Sequence, residues 1–275
     1  MSKCWLVGSL PEHPLVPHLA QRFGEETRYF QLPVTRPGHS LCLEELTQQG
    51  FQAGDSMIYL NTPWRFVQAD PLEEHLSLSL NLFHACLKQD TRLIYLSTHA
   101  VYGQALYTPL DEQHPLQGFS PYASSRTATD LLAQSYATSF DLDVTVVRLF
   151  PLFGPGYYSQ LINSLHQHKE ALQDLELQLD LLHLEDALDA LQQIAQTRDL
   201  RGQVVNLGSG QIHTLDQVLS AIPADTAASN PALDFETTRQ TARFLHQRSP
   251  DLSRLQQQVP WQAQRTQQFL QTSQP

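Results

Sequence analysis

The chain predicts an α/β fold: a doubly wound parallel sheet with a small C-terminal α/β lobe. Three observations carry the prediction. Short apolar runs of strand type alternate with stretches of helical length as far as Leu149. Helices of that length between strands imply right-handed crossovers, and hence parallel neighbours. The chain is 275 residues long and 41% hydrophobic, enough to bury a large core, and no internal repeat or linker divides it.

In chain order, residues 3–7 read as a buried strand, 15–23 as a helix and 28–32 as a second strand. Residues 57–60 and 93–96 are further short apolar runs, and 72–88 between them carries apolar residues at helical intervals. A helix over 122–140 and a strand over 144–149 follow. After Gly154, Pro155 and Gly156 the pattern turns irregular and rich in Gln and Leu, with helices expected over 160–172 and 185–196. The Gln-rich tail, 255–274, keeps Val259, Trp261, Phe269 and Leu270, so it is expected to pack. The core is assigned to 1–156, with contributions to about residue 210, and the lobe to 157–275.

The formal net charge of −11 comes with no basic stripe, which argues against nucleic acid or an anionic membrane as the main partner. No run approaches the roughly 18 apolar residues of a membrane-spanning helix, and residues 4–8 are too short for a signal-peptide core, so the cytoplasm is the expected location. Cys4, Cys42 and Cys86 are too irregularly spaced for a disulfide framework or a zinc site. The twelve histidines are scattered, and His166 and His168 lie two apart on an expected helix, where they do not share a face. No metal is expected.

Two positions stand out chemically. Tyr122 and Arg126 lie four apart on an expected helix, hence on one face about a turn from each other. A fixed cation is what brings a phenol, which normally titrates near 10, into use as an acid or base at neutral pH. Thr98 follows the 93–96 strand at its carboxyl end, where ligands collect in open α/β sheets, and its hydroxyl is placed to orient a substrate oxygen toward Tyr122.

The string Ser97-Thr98-His99-Ala100-Val101-Tyr102-Gly103, then Pro109-Leu110-Asp111-Glu112 and Ser120-Pro121-Tyr122 leading to Arg126, resembles the active-site core of the extended short-chain dehydrogenase/reductases, the NAD-dependent epimerase/dehydratase family. Residues 148–156, His183 to Asp186 and Asn206 to Gly210 resemble later segments of the same family, so the resemblance spans nearly the whole chain. It implies a Rossmann-like core, Thr98 as the catalytic Ser/Thr, Tyr122 as the catalytic tyrosine and Arg126 in place of the lysine that tunes the tyrosine and bonds the nicotinamide ribose. Arginine keeps the charge but is planar and larger, and a pairing of Arg126 with Asp130 on the next turn is the alternative reading. Asp186 matches an acidic position that is structural in the family.

The cofactor end departs from the pattern. Where the family has a glycine-rich turn this chain reads Val7-Gly8-Ser9-Leu10-Pro11-Glu12-His13-Pro14, leaving Gly8 as the one residue that lets a backbone approach a pyrophosphate. Pro14 is suited to start a helix whose free N–H groups face an anion. The second strand offers Gln31 where a ribose-binding acid is expected, with Arg36 nearby either as a 2′-phosphate partner or as a solvent-facing side chain. Asn61 is followed by Thr62, Pro63 and Trp64, whose indole is placed to fill part of a cofactor cleft. On the substrate side Pro151 and Phe153 stand where nucleotide-sugar enzymes of the family often carry Asn and Tyr. The cofactor-binding candidates are therefore Gly8, Gln31, Asn61 and Arg126, for NAD or NADP.

Two readings follow from the resemblance. One is a divergent NAD(P)-dependent epimerase, dehydratase or reductase acting on a sugar-like or nucleotide-sugar substrate through Thr98 and Tyr122. The other is a cofactor-poor relative on the same fold: a pseudoenzyme, a metabolite-binding or partner-regulating protein, or a non-redox proton-transfer enzyme. The resemblance also implies a homodimer through the tyrosine-bearing helix with Leu131, Leu132 and Tyr136, although apolar residues at that spacing equally make ordinary core.

Overall fold

The structure, a computed structural model, describes residues 3–8, 13, 15–31, 42–60, 72–154, 157–158, 160–221 and 233–271. Six strands, β1 (Cys4–Gly8), β2 (Thr27–Gln31), β3 (Ser56–Tyr59), β4 (Arg92–Thr98), β5 (Val144–Leu149) and β6 (Val204–Leu207), form one sheet in the order β6-β5-β4-β3-β1-β2. β1 pairs parallel with β2 on one side and β3 on the other, and β3 pairs parallel with β4. The chain thus reverses direction across the sheet between β1 and β3, the switch point at which Rossmann-like sheets bind ligands. β1 is buried throughout and β4 is buried up to Ser97, so both read as continuous apolar runs because helices cover the two faces.

The helices of this part are α1 (Val16–Phe23), α2 (Cys42–Gln48), α3 (Leu72–Gln89) and α4 (Pro121–Phe140); α5 (Leu184–Gln196) begins in the second unit described below and ends in this one. α4 starts sharply because Ser120 Oγ accepts the Ala123 N–H at 3.1 Å and Pro121 fits the first helical position. It stops at Asp141, which adopts a left-handed conformation (φ 60°).

The chain folds as two compact units. The first comprises Met1–Gly103, Pro115–Arg148 and Gln192–Val205. Its core joins Trp5, Val7, Leu82, Phe83, Leu93 and Val146. Leu132 and Tyr136 pack against this core while Leu131 stays exposed, so the apolar residues of α4 divide between core and surface. Asp55 fixes the start of β1, accepting the Lys3 N–H at 2.8 Å and the Trp5 indole N–H at 2.9 Å. Arg92 ties β4 to the later segment of the unit through Asp143 (2.9 Å) and the carbonyl of Ile194 (3.1 Å).

The second unit comprises Gln104–His114, Leu149–Leu191 and Asn206–Pro275. Leu152–Gly154 pairs parallel with Leu182–His183 and antiparallel with Tyr157–Tyr158. His213–Thr214 pairs antiparallel with Gln178–Leu179. The tail packs as expected, in helices Ser253–Gln258 and Gln264–Gln271, with Val259, Trp261 and Leu270 buried. Asp186 anchors it: the carboxylate accepts the Arg265 and Thr266 N–H groups at 3.1 and 2.7 Å, and its carbonyl accepts the Trp261 indole.

The helix expected over 160–172 is two, Gln160–Gln167 and Lys169–Leu172. His168 breaks it, with φ −109° and ψ 16°, and its Nε2 lies 2.9 Å from the Leu233 carbonyl. His166 and His168 are both half-buried.

Candidate active site

β4 ends at Thr98, whose extended backbone (φ −139°, ψ 150°) lets Oγ1 accept the Ala100 N–H at 3.3 Å and cap the short 3-10 turn His99–Tyr102. The turn closes at Gly103 (φ 60°), where an added Cβ would lie 1.7 Å from the Gln117 carbonyl oxygen, so only glycine fits. The Gln117 N–H returns a bond to the Val101 carbonyl at 2.9 Å. Gly118 also lies close against the first turn of α4, where an added Cβ would be 2.6 Å from the Ala123 carbonyl carbon. These two contacts fix the entry of the chain into α4, and with it Tyr122, relative to the end of β4.

Tyr122 is half-buried on the first turn of α4, and the guanidinium carbon of Arg126 lies 4.8 Å from the centre of its ring. Arg126 is itself 0% exposed. The expected juxtaposition is present, but as a cation over a π face and not as a charge reaching outward. Around it lie His75 on α3, Tyr59 on β3 and Tyr95 on β4, all buried. His75 Nδ1 lies 3.4 Å from Tyr59 Oη, the two rings stacking at 6.1 Å. Burial and the charge of Arg126 push the His75 imidazole down to about 2, so it is neutral. Burial pushes the Tyr95 phenol well above its ordinary value.

The alternative in which Arg126 pairs with Asp130 is corrected by the geometry, because the Asp130 carboxylate is engaged elsewhere. It takes Arg148 Nε and Nη2, each at 3.0 Å, Ser97 Oγ at 2.9 Å and Gln134 Nε2 at 2.7 Å. Arg148 also donates to Tyr102 Oη at 3.1 Å, with its guanidinium 4.9 Å from that ring. Burial alone would lower the pKa of Arg148, but the Asp130 charge overrides it and holds the group above its ordinary value. Asp130 and Arg148 thus lock the residue before Thr98 to α4 and β5. Sequence reasoning missed this pair; the available signal was an arginine closing an otherwise apolar strand.

Of the cofactor candidates, Gly8, Gln31 and Arg126 lie among the described residues. Gly8 ends β1, and a Cβ there would meet Tyr29 Oη at 3.4 Å and Leu60 at 3.5 Å, ordinary van der Waals contact. Gln31 ends β2 with its side chain in solvent and Arg126 is enclosed. Asn61, Trp64, Arg36, Pro11 and Pro14 lie outside the described residues. In the second unit Phe153 is core, packed on His183 and Phe269 at ring distances of 5.3 and 5.4 Å. Among the described residues no group of His, Cys, Asp and Glu is arranged to hold a metal ion, and no helix is long and apolar enough to cross a membrane.

Comparison with known proteins bears on the same region. The sequence pattern of the NAD dependent epimerase/dehydratase family matches residues 53–208. The dTDP-D-glucose 4,6-dehydratase of Bos taurus is 31% identical over 125 residues, 43% of this chain and 35% of that enzyme, so the match spans about a third of the relative's length. Two solved structures share the fold over nearly the full length of each chain. They are RMD from Pseudomonas aeruginosa complexed with NADPH (TM-score 0.69, 21% identity, 98% of this chain and 99% of that one) and dTDP-glucose 4,6-dehydratase from Bacillus anthracis in complex with NAD (TM-score 0.72, 18% identity, 99% and 95%).

Proposed function

The chain belongs to the NAD dependent epimerase/dehydratase family, and from that premise we propose that it moves a proton on a sugar-type carbonyl or hydroxyl compound of the nucleotide-sugar class, through Thr98 and Tyr122, with no hydride step. The observation that carries the reading is the Arg126 guanidinium seated on the Tyr122 ring. A catalytic tyrosine needs a preorganised positive field facing the charge that develops on its oxygen as the proton leaves, and a buried guanidinium supplies one without reorganising. The substrate class is supported by the dTDP-glucose dehydratases among the relatives. In this reading Thr98 Oγ1 holds the substrate oxygen, Tyr122 Oη exchanges a proton with that oxygen or with the acidic carbon beside a carbonyl, and Arg126 faces the resulting charge.

The test is solvent-hydrogen exchange. The protein is incubated in D2O with a dTDP-linked 4-ketohexose, and loss of the carbon-bound hydrogens beside the carbonyl is followed by NMR. Exchange that the protein accelerates and that Tyr122→Phe abolishes is the expected outcome. Absence of acceleration, or acceleration that survives in a folded Tyr122→Phe variant, overturns the reading.

A further inference from the structure

A buried charge opposes folding unless a partner compensates it, because the ion has given up its water. Arg92 and Arg148 of the first unit meet that condition through Asp143 and Asp130. Arg248, in the second unit, does not. It is 4% exposed, and its guanidinium makes no hydrogen bond and meets no carboxylate among the described residues; Nη1 is wholly enclosed. Asp180, beside the Leu179 that bridges to Arg248, spends its carboxylate on Ser209 and Ser249 instead. Burial pushes the Arg248 pKa down to about 10, which leaves the group charged at neutral pH.

The chain nevertheless holds this cation firmly. The Gln247 N–H donates to the Gln178 carbonyl at 2.8 Å, and His246 Nδ1 accepts the Gln178 N–H at 3.2 Å. Gln247 adopts a left-handed backbone (φ 53°), uncommon outside glycine, and delivers the chain to Arg248, whose N–H donates to the Leu245 carbonyl at 3.2 Å. The guanidinium carbon lies 3.8 Å from the centre of the Phe244 ring. That contact uses the face of the cation, whereas its donors lie in the plane of the fork and remain unspent.

The missing partner is an anionic acceptor, and charge decides which kind. Burial is the sole cause of the Arg248 shift, so no second cation stands close enough to share a ligand. A phosphate monoester brings a charge of about −2 into that enclosure. A carboxylate brings one, and its two oxygens match the guanidinium fork. His213 pairs with Leu179 on the strand side away from Arg248, and its Nε2 is also enclosed without a partner. Burial lowers the pKa of this imidazole, so it is neutral and suited to a hydroxyl.

We propose that Arg248, stacked on Phe244, is a carboxylate-binding site of the second unit, and that it takes a small hydroxylated monocarboxylate such as a sugar acid. The inference goes beyond the proton chemistry proposed for Thr98 and Tyr122 and does not rest on it, since its test reads Arg248 alone.

The arginine Nε–H resonances are followed by NMR during titration with D-glucuronate, with D-glucose and inorganic phosphate as comparisons and ionic strength held constant with chloride. The resonance absent from Arg248→Lys identifies Arg248. It is expected to shift saturably with D-glucuronate at millimolar concentration and to stay in place with D-glucose. Calorimetry is expected to show affinity for D-glucuronate lowered by about tenfold or more in Arg248→Lys, which keeps the charge and loses the fork. Arg248→Met reads the structural alternative. Replacing an uncompensated buried charge by an apolar side chain of similar length removes its desolvation cost, so the Tm without ligand is expected to equal or exceed that of the wild type. An Arg248 resonance that D-glucuronate leaves in place, phosphate bound as tightly as D-glucuronate, or an Arg248→Met variant that melts several degrees lower or fails to fold would each overturn the proposal.

Discussion

Arg148 grips Asp130 with two parallel bonds, Nε to Oδ2 and Nη2 to Oδ1, both at 3.0 Å and both fully enclosed. The pair is the hinge pin of the candidate site, because the same carboxylate holds Ser97, the residue before Thr98, and the same guanidinium holds Tyr102. Removing one partner leaves a buried charge without compensation, which costs about 3–5 kcal/mol. Arg148→Met and Asp130→Asn are each expected to lower the urea midpoint by that equivalent. The double variant Asp130→Leu with Arg148→Met, which buries no charge, recovers a large part of the loss. A double variant no more stable than the sum of the singles would show that the two residues are not coupled.

Gly103→Ala tests the turn that sets Thr98 against Tyr122. The methyl group would lie 1.7 Å from the Gln117 carbonyl oxygen and would require a positive φ from alanine. The contact is with backbone, so no side chain can swing aside. Destabilisation of about 3 kcal/mol or more is expected in denaturant unfolding, and any proton-exchange activity falls with it. Gly24→Ala is the control: nothing lies within 4 Å of the added Cβ, so the cost is backbone strain alone, about 1–3 kcal/mol at a φ of 85° and ψ of −167°.

The stability of the second unit depends on Asp180. Its carboxyl is enclosed, and burial pushes it up to about 6 despite the bonds it accepts from Ser209 and Ser249. In the unfolded chain the group titrates near 4. The folded state therefore holds its proton more tightly, and this contribution to stability is complete below the unfolded value and is lost as pH rises through about 6. Roughly two pH units of displacement correspond to about 3 kcal/mol. Stability curves between pH 4 and 8 should show that decline in the wild type and a flatter profile in Asp180→Asn, where no group titrates. Matching slopes would mean that Asp180 is not the source.

Local pattern made the sheet and its helices legible, and distance in sequence hid what locks them together. β1, β4 and β5 are apolar runs whose burial follows from composition alone, and α3 and α4 carry apolar residues at helical intervals. The helix Phe235–Leu245 escaped because its face is read from polar residues; its signal was Asp234, which caps it by accepting the Thr237 N–H at 2.9 Å. In the site, Tyr122 and Arg126 were legible because four residues on a helix are one turn. The surroundings of Arg126 were not: His75 and Tyr95, whose titration its charge shifts, are brought in from α3 and β4. Asp130 looked like its natural partner from spacing alone, yet Arg148, eighteen residues on, has the better geometry.

Arg126→Lys separates the arginine from the rest of the cofactor end. Lysine is the family residue at this position, so if arginine alone blocked the dinucleotide, the exchange would restore binding. The geometry argues that it does not. The new ammonium would start from a fully enclosed position beside His75 and Tyr95. An ammonium is more strongly hydrated than a guanidinium and stacks less well on an aromatic ring, so burying it here costs more. The expected result is a drop in Tm of a few degrees with NAD and NADPH titrations indistinguishable from wild type. A gain of about tenfold or more in dinucleotide affinity, about 1.4 kcal/mol, would instead assign the whole block to Arg126.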